Sequence, residues 1–530
     1  MLKRTIRISV CLILLILSLA TVFLAQEKEK ALSISLENCI LSAMKNNLTV
    51  AVEVLNPELA DVSISRAQEK FLPSLSFGFT KRSNNSASYS WIDAAGSVIT
   101  KYNDYSAQIN QLIPTGGSFY ISLEAYKNDS NRSFQTINPR FGSTLTLNFT
   151  QPLLKDFGFA INRREIIIAR NNLDVSENQF KKVLQDTIYN VEEAYWNLVY
   201  SIEDLKVKRQ SLKLAQDLLA KTQRAVEIGT LAPLEILSAQ AEVATREADI
   251  LQAEALVKNN EDRLKTIINL SAEEEKGAAE IIPVDAPNFQ EKEVNLEQAL
   301  LTAMENRPDL QAARINMKNQ EINLSYAKNQ LLPALNLTAS YWSPGISGDQ
   351  ILYFNNNPLT GIVIGRVPGG ASDSFKDAMN FKYKNWSLGL TLDIPLNSFL
   401  SRAAYAQAKI NMEQAMLNLK SQEQQIFLEI KNATRAVETD YKRVQAYKVA
   451  RELAERKLEG EEEKLKVGLS TSYSVLMYQR DLANARTSEL KAIVDYNLSL
   501  ANLDRALGVS LKTKNIRISE ILERSDKKQL

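Results

Sequence analysis

The chain has 530 residues, 24% charged and 45% hydrophobic, with a formal net charge of +1. That balance excludes a disordered chain and a multi-span helical membrane protein, and it gives no global attraction for nucleic acid. The sequence has no histidine, and its two cysteines are Cys11 and Cys39, which excludes Ser-His-Asp and Cys-His nucleophile systems and every histidine-bearing metal site.

The N-terminus reads MLKRTIRISVCLILLILSLATVFLAQEKEK. A basic start, an apolar run and a polar switch predict a secretory signal over residues 1–25, with cleavage after Ala20 or Ala25. An uncleaved anchor is the alternative, because Ile8 to Ala25 is about as long as a short membrane span. QEKEK offers no cysteine for lipid attachment. Cys11 lies in the signal, so Cys39 has no partner for an intrachain disulfide.

From residue 31 the chain is written twice. ISLENCILSAMKNN (34–47) aligns with VNLEQALLTAMENR (294–307), and DVSISRAQEKFLPSLSFGFT (61–80) aligns with EINLSYAKNQLLPALNLTAS (321–340). Leu72-Pro73 falls on Leu332-Pro333, and FTQPLL (149–154) resembles LDIPLN (392–397). An internal repeat of this kind is read before anything else.

Each copy opens with two short helices and then changes period. PSLSFGFT, FYISLEAYK and STLTLNFT alternate apolar and polar residues, as do PALNLTASY and SLGLTLDI in the second copy. A period of 2 predicts strands with one apolar face, here Leu75, Phe77 and Phe79, then Leu335 and Leu337, then Leu388, Leu390, Leu392 and Ile394. In the first copy the alternating segments lie near 74–82, 103–113, 117–127 and 143–151. Their connections are long, polar and rich in Asn, Gly, Ser and Pro, which favours a barrel with lipid outside and water inside over a soluble sandwich.

A long helix follows in each copy. Phe180, Val191, Ala194, Leu198 and Leu205 mark one face of the first; Leu419, Ile430, Ala433, Val437 and Val444 mark the second in the same register. The first would run about 65 residues, about 100 Å at 1.5 Å per residue. Each long helix reaches a glycine and turns back. AVEIGTLAPLEIL matches EKLKVGLSTSYSVL, with Gly229 on Gly468 and Leu237 on Leu476. Glycine suits a helix end, Pro233 suits a first turn, and Ser470, Thr471 or Ser472 can cap the return helix. The predicted order is a first repeat over 31–270 with hairpin 163–268 and tip 229–233, a connector at 271–293 with room for one short strand, a second repeat over 294–510 with hairpin 402–507 and tip 468–472, and a polar tail over 511–530. The fold class is mainly α with membrane β.

The doubled LE-x-(A/C) start, the doubled LPxL junction, FTQPLL and the doubled glycine tip together resemble the TolC-like outer membrane efflux proteins, the exit ducts of tripartite pumps and type I secretion systems. The resemblance covers nearly all of residues 31–510 and implies a homotrimer in the outer membrane of a Gram-negative bacterium. The strands of its chains share one β-barrel in contact with lipid, and the helices form a periplasmic tunnel. It implies passive conduction, no enzyme activity, no cofactor and no metal. The implied partners are a periplasmic adaptor and, indirectly, an inner-membrane pump. The spacing of the second copy favours two strands per copy and 12 per trimer; an added hairpin in the first copy gives 18.

Carried onto this sequence, adaptor docking falls on Ile228, Gly229, Thr230 and Leu231 and on Val467, Gly468, Leu469 and Ser470. The acidic ring that closes the family's pore falls on Ser474 and Met477, and its polar lock on Ser470 and Leu465, so that gate is not carried over. Glu235 is the nearest acid at the matching place in the first tip, and closure is expected to rest on packing around Leu465, Met477 and Leu237. Two rival readings are an exported coiled-coil scaffold or adhesin without a pore, and an exported carboxylate glycosidase. The first does not explain the duplicated strands, and nothing pairs two carboxylates for the second.

Overall fold

The computed structural model describes residues 32–93, 96–270 and 280–517. The expected signal over 1–25 lies outside them, as do 271–279 of the connector and the tail from 518 onward. In chain order the main elements are β1 (Leu32–Ile34), α1 (Leu36–Asn46), α2 (Leu48–Glu69), β2 (Ser74–Ala87), β3 (Ser97–Leu112), β4 (Ser118–Ser130) and β5 (Ile137–Pro152). The long α3 (Arg164–Glu227) and α4 (Leu234–Ile268) follow, then β6 (Ile281–Pro283), α5 (Leu296–Asn306), α6 (Pro308–Asn329) and β7 (Ala334–Tyr353). The chain continues through β8 (Val363–Val367), α7 (Ala371–Met379), β9 (Asn385–Asp393), α8 (Phe399–Lys466) and α9 (Ser472–Leu507). No described helix is long and apolar enough to cross a membrane.

The repeat is visible in how helices start and stop. Ser35 accepts from the Asn38 N–H at the start of α1, and Asn295 accepts from the Glu297 and Gln298 N–H groups at the start of α5. At both LPxL junctions the helix tightens into a final turn, with Leu72 N–H on Glu69 O at 2.9 Å and Leu332 N–H on Asn329 O at 3.1 Å. Proline at 73 and 333 then forbids continuation, and strands begin at 74 and 334.

The described residues fall into two compact units with these bounds. One is Met1–Pro57, Glu177–Ala312 and Lys420–Leu530; the other is Glu58–Ser176 and Ala313–Leu419. In the first, α1 buries Cys39, Ile40, Ala43 and Met44 against α3 and Ile281 of β6. β1 and β6 pair in parallel. The predicted stripe of α3 is buried at Phe180, Val191, Ala194, Leu198 and Leu205. A second apolar row, Leu184, Ile188, Tyr195 and Val199, joins the same core, because α3 is covered on a second side here. Tyr195 clasps this core: its hydroxyl donates to Asp285 Oδ2 at 2.9 Å and accepts from the Asp285 N–H at 3.1 Å, while Leu36 N–H donates to the same carboxylate at 2.6 Å. Burial pushes the Cys39 thiol up to about 12, with the Asp285 charge adding to it, so it stays a protonated core residue.

The second unit holds a seven-stranded antiparallel sheet in the order β2-β3-β4-β5-β7-β8, with β9 pairing β7 below β8. All four alternating segments of the first copy are separate strands, each paired with the next. One face carries Leu75, Ile109, Ile121, Leu147, Tyr341 and Trp386 in a single cross-strand row. The opposite face carries Ser76, Gln108, Ser122 and Thr146, and an ion pair joins Arg82 to Asp104 at 3.7 Å. Much of the apolar face is uncovered: Phe77 is 77% and Trp386 73% exposed. Contiguous exposed apolar surface of this kind marks contact with lipid or another chain.

Candidate functional site

The two helix reversals are the densest set of expected site residues, and they are built alike. At the first, Gly229 N–H donates to Val226 O at 2.9 Å and Thr230 N–H to Ala225 O at 2.8 Å. At the second, Gly468 N–H donates to Leu465 O at 3.1 Å and Leu469 N–H to Lys464 O at 2.9 Å. Both are Schellman closures around a left-handed residue, with φ +81° at Gly229 and +76° at Gly468. The return helices start differently. Pro233 precedes α4 without a side-chain cap, whereas Thr471 Oγ1 accepts the Ser474 N–H at 3.2 Å at the start of α9.

Of the eight expected docking residues, Ile228 is 78% and Leu469 79% exposed, Gly229, Thr230, Val467 and Gly468 are exposed, and Leu231 and Ser470 are half-buried. Ser470 faces back onto its own hairpin: its hydroxyl donates to Glu461 Oε1 at 2.6 Å. That bond, with Lys464 beside it, holds the Glu461 carboxyl below its ordinary value.

The expected constriction residues separate. Leu465 packs on a core of Ala215, Leu218, Ala239, Leu458, Val475, Leu476 and Leu482 just behind the tips. Leu237 is exposed, and Ser474 and Met477 are half-buried. Glu235 is half-buried in the first turn of α4, and its Oε2 is buried without a hydrogen-bond partner among the described residues.

Two contacts that sequence reasoning missed hold the tips together. Thr222 of α3 donates to Ser472 Oγ of α9 at 3.1 Å in a buried position. Arg246 of α4, only 5% exposed, donates to Ser211 O at 2.7 Å and Ser211 Oγ at 3.0 Å on α3, to Leu476 O at 3.0 Å on α9, and to Glu242 one turn back. Burial pulls this guanidinium below its ordinary value and Glu242 works against that. Its signal in the sequence is a lone cation on a heptad of small buried residues, Ala239 and Ala253. Among the described residues no group of three or more His, Cys, Asp and Glu side chains could hold a metal ion.

A family profile described as outer membrane efflux protein matches residues 40–270 and 299–509, the two copies of the repeat. The chain is 24% identical over 383 residues to outer membrane protein TolC of Vibrio cholerae, an alignment spanning 71% of this chain and 79% of that protein. It is 23% identical over 347 residues to outer membrane protein TolC of Escherichia coli, spanning 65% and 66%. Among solved structures it is similar to the Campylobacter jejuni CmeC outer membrane channel, with a TM-score of 0.63 over 94% of this chain and 95% of that one; at 17% identity this likeness concerns the fold.

Proposed function

The chain belongs to the outer membrane efflux protein family, and on that premise we propose that it is an exit duct, passively conducting substrates handed over by a periplasmic adaptor and an inner-membrane pump, in efflux or type I secretion. Its place is the outer membrane of a Gram-negative bacterium, with the helical part in the periplasm. Residues 1–25 serve as the export signal, and 31–270 and 294–510 are the two repeats. The alternative of an exported scaffold without a pore has no support in this family, and we assign no catalytic step.

One observation carries the reading: a single antiparallel sheet with an exposed apolar face, whose edge strands β2 and β9 each pair with one neighbour only among the described strands. Open edges are not tolerated in lipid, so the sheet requires other chains to close it. A homotrimer does so. The six long strands β2, β3, β4, β5, β7 and β9 of each chain favour 18 strands over 12. The polar face, with Arg82, Asp104 and Glu124, then lines the water-filled side.

In the helical unit, exposed Ile228, Val467 and Leu469 around two glycine turns suit docking of a helical adaptor tip. Purified protein in detergent should run as a trimer and form ohmic channels in planar bilayers, and cysteines placed at Thr230 and Leu469 should crosslink to a co-expressed adaptor. A monomer that forms no channel would overturn the duct. Channels without tip crosslinks would overturn only the docking assignment.

A further inference from the structure

We propose that the apolar face of the sheet carries a built site for a phosphate-bearing lipid of the outer leaflet, an inference that rests on the outer-membrane reading above. The rows of that face change character going up the sheet. Phe77, Ala107, Leu123 and Leu145 form one row, and Phe79, Tyr105, Ala125, Ser143 and Gly345 form the next. The row above that is Lys81, Asn103, Lys127, Phe141 and Ser347. Apolar side chains give way to an aromatic pair, with Phe79 and Tyr105 rings 5.1 Å apart, and then to two lysines. That is the sequence of environments crossed from acyl chains to headgroups.

The lysines are placed as a pair. Lys81 and Lys127 flank Asn103 on adjacent strands, two inter-strand spacings or roughly 10 Å apart, and Lys101 lies one row higher. Neither Lys81 nor Lys127 forms an ion pair among the described residues, and Lys127 rests over the Phe141 ring at 5.7 Å. Asp129, an acid on this face, sits opposite Lys101 in the register. Two unneutralised cations at the top of an apolar surface match an anion held at its own polar–apolar boundary.

A groove below completes the site. α7 lies on the apolar face because small residues meet there: Ser374 Oγ is 3.1 Å from Ser143 Oγ, and a Cβ at Gly345 would come within 1.9 Å of Ser374 O. Ser374 and Ala378, one turn apart, are the buried residues of the helix, a small-to-small contact of the kind that brings helices close in membranes. This seating turns Phe375 into one wall of a groove whose other walls are Phe77, Phe79, Tyr105, Leu123 and Ala125. The groove takes an acyl chain while Lys81 and Lys127 take the phosphate next to it.

The test uses the full-length protein purified in nonionic detergent, titrated with diphosphorylated lipid A and followed by native mass spectrometry. Wild type should retain lipid A at least tenfold more tightly than Lys81→Gln/Lys127→Gln. Asn103→Asp, which sets a carboxylate between the two lysines without removing either, should give a similar loss. Phe375→Ala should weaken both lipid A and phosphatidylglycerol. Unchanged retention in the lysine and Asn103 variants would overturn the site, as would phosphatidylcholine competing equally with lipid A. Outer-membrane fractionation and bilayer conductance separate the two levels. If wild type fails them the duct reading falls; if every variant passes them with lipid retention unaltered, only the lipid site falls.

Discussion

Arg246 donates to the main-chain carbonyl of Leu476 at 3.0 Å, from a different hairpin and in a position closed to water. The same guanidinium holds Ser211 O on α3, so one side chain ties three helices near the turns. Arg246→Met keeps the length and apolar stem but removes five donors, leaving both carbonyls unsatisfied and Glu242 without its partner. A loss of about 3 kcal/mol is expected. Hydrogen exchange should speed up in α9 around Leu476 and in α3 around Ser211, while exchange around Tyr195 stays unchanged. Equal exchange in variant and wild type near the turns would show that packing of Leu218, Leu458 and Leu482 holds the tips by itself.

Gly460 and Gly468 should respond oppositely to alanine. Gly460 lies inside α8, with nothing near its missing Cβ, so Gly460→Ala should stabilise by roughly 1 kcal/mol through helix propensity. Gly468 also has open space for a Cβ, but its φ of +76° is left-handed, so Gly468→Ala should cost about 1 kcal/mol. Gly229→Ala, at φ +81°, should behave as Gly468→Ala does. Local exchange rates at the tips report the sign, and a stabilising Gly468→Ala would mean that the turn relaxes out of the Schellman geometry.

These turns were legible in the sequence because glycine at a helix end has a local cause, and the same cause acts in both copies. The sheet strands were legible because Leu75, Phe77 and Phe79 alternate without help from their neighbours. α7 was not. It lies in a stretch that reads as a long polar loop, and the residues that seat it, Ser374 and Ala378, carry almost no hydrophobic signal. Its position follows from Gly345 and Ser143, distant in sequence, which leave room for a helix. Arg246 was hidden for a related reason: a cation reads as surface until the carbonyls that satisfy it are brought in from two other helices.

Acid should weaken the junction at the start of α6. Arg307 donates to both oxygens of Asp309, at 3.0 and 2.7 Å, and to Glu429 at 2.5 Å. Burial alone would raise the Asp309 pKa, but the guanidinium overrides this and holds it below the ordinary carboxylate value. A depressed folded-state pKa contributes stability that is present above the unfolded value near 3.8 and lost as pH falls through the folded value. Asp309→Asn should therefore lower the unfolding midpoint at pH 7, by ~2 kcal/mol in stability, and the two proteins should converge as pH drops below 4. Melting curves that stay parallel from pH 7 to pH 3 would remove Asp309 as a source of acid sensitivity.

Glu235 offers a test of conduction. Its Oε2 is buried without a partner among the described residues, an unfavourable place for a carboxylate within one chain. A lumen-facing ring of three such residues in the proposed trimer would attract cations and raise cation selectivity. Glu235→Gln conserves shape and removes three charges from that ring, so the reversal potential in a salt gradient should shift toward zero while the tips keep their fold. Met477→Ala and Leu237→Ala act on the other expectation, closure by packing, and should raise the resting conductance without moving the reversal potential. An unchanged reversal potential in Glu235→Gln would assign the carboxylate to the protein surface and leave closure to the apolar side chains, because a charged ring at a narrow aperture cannot be neutralised without altering which ions pass.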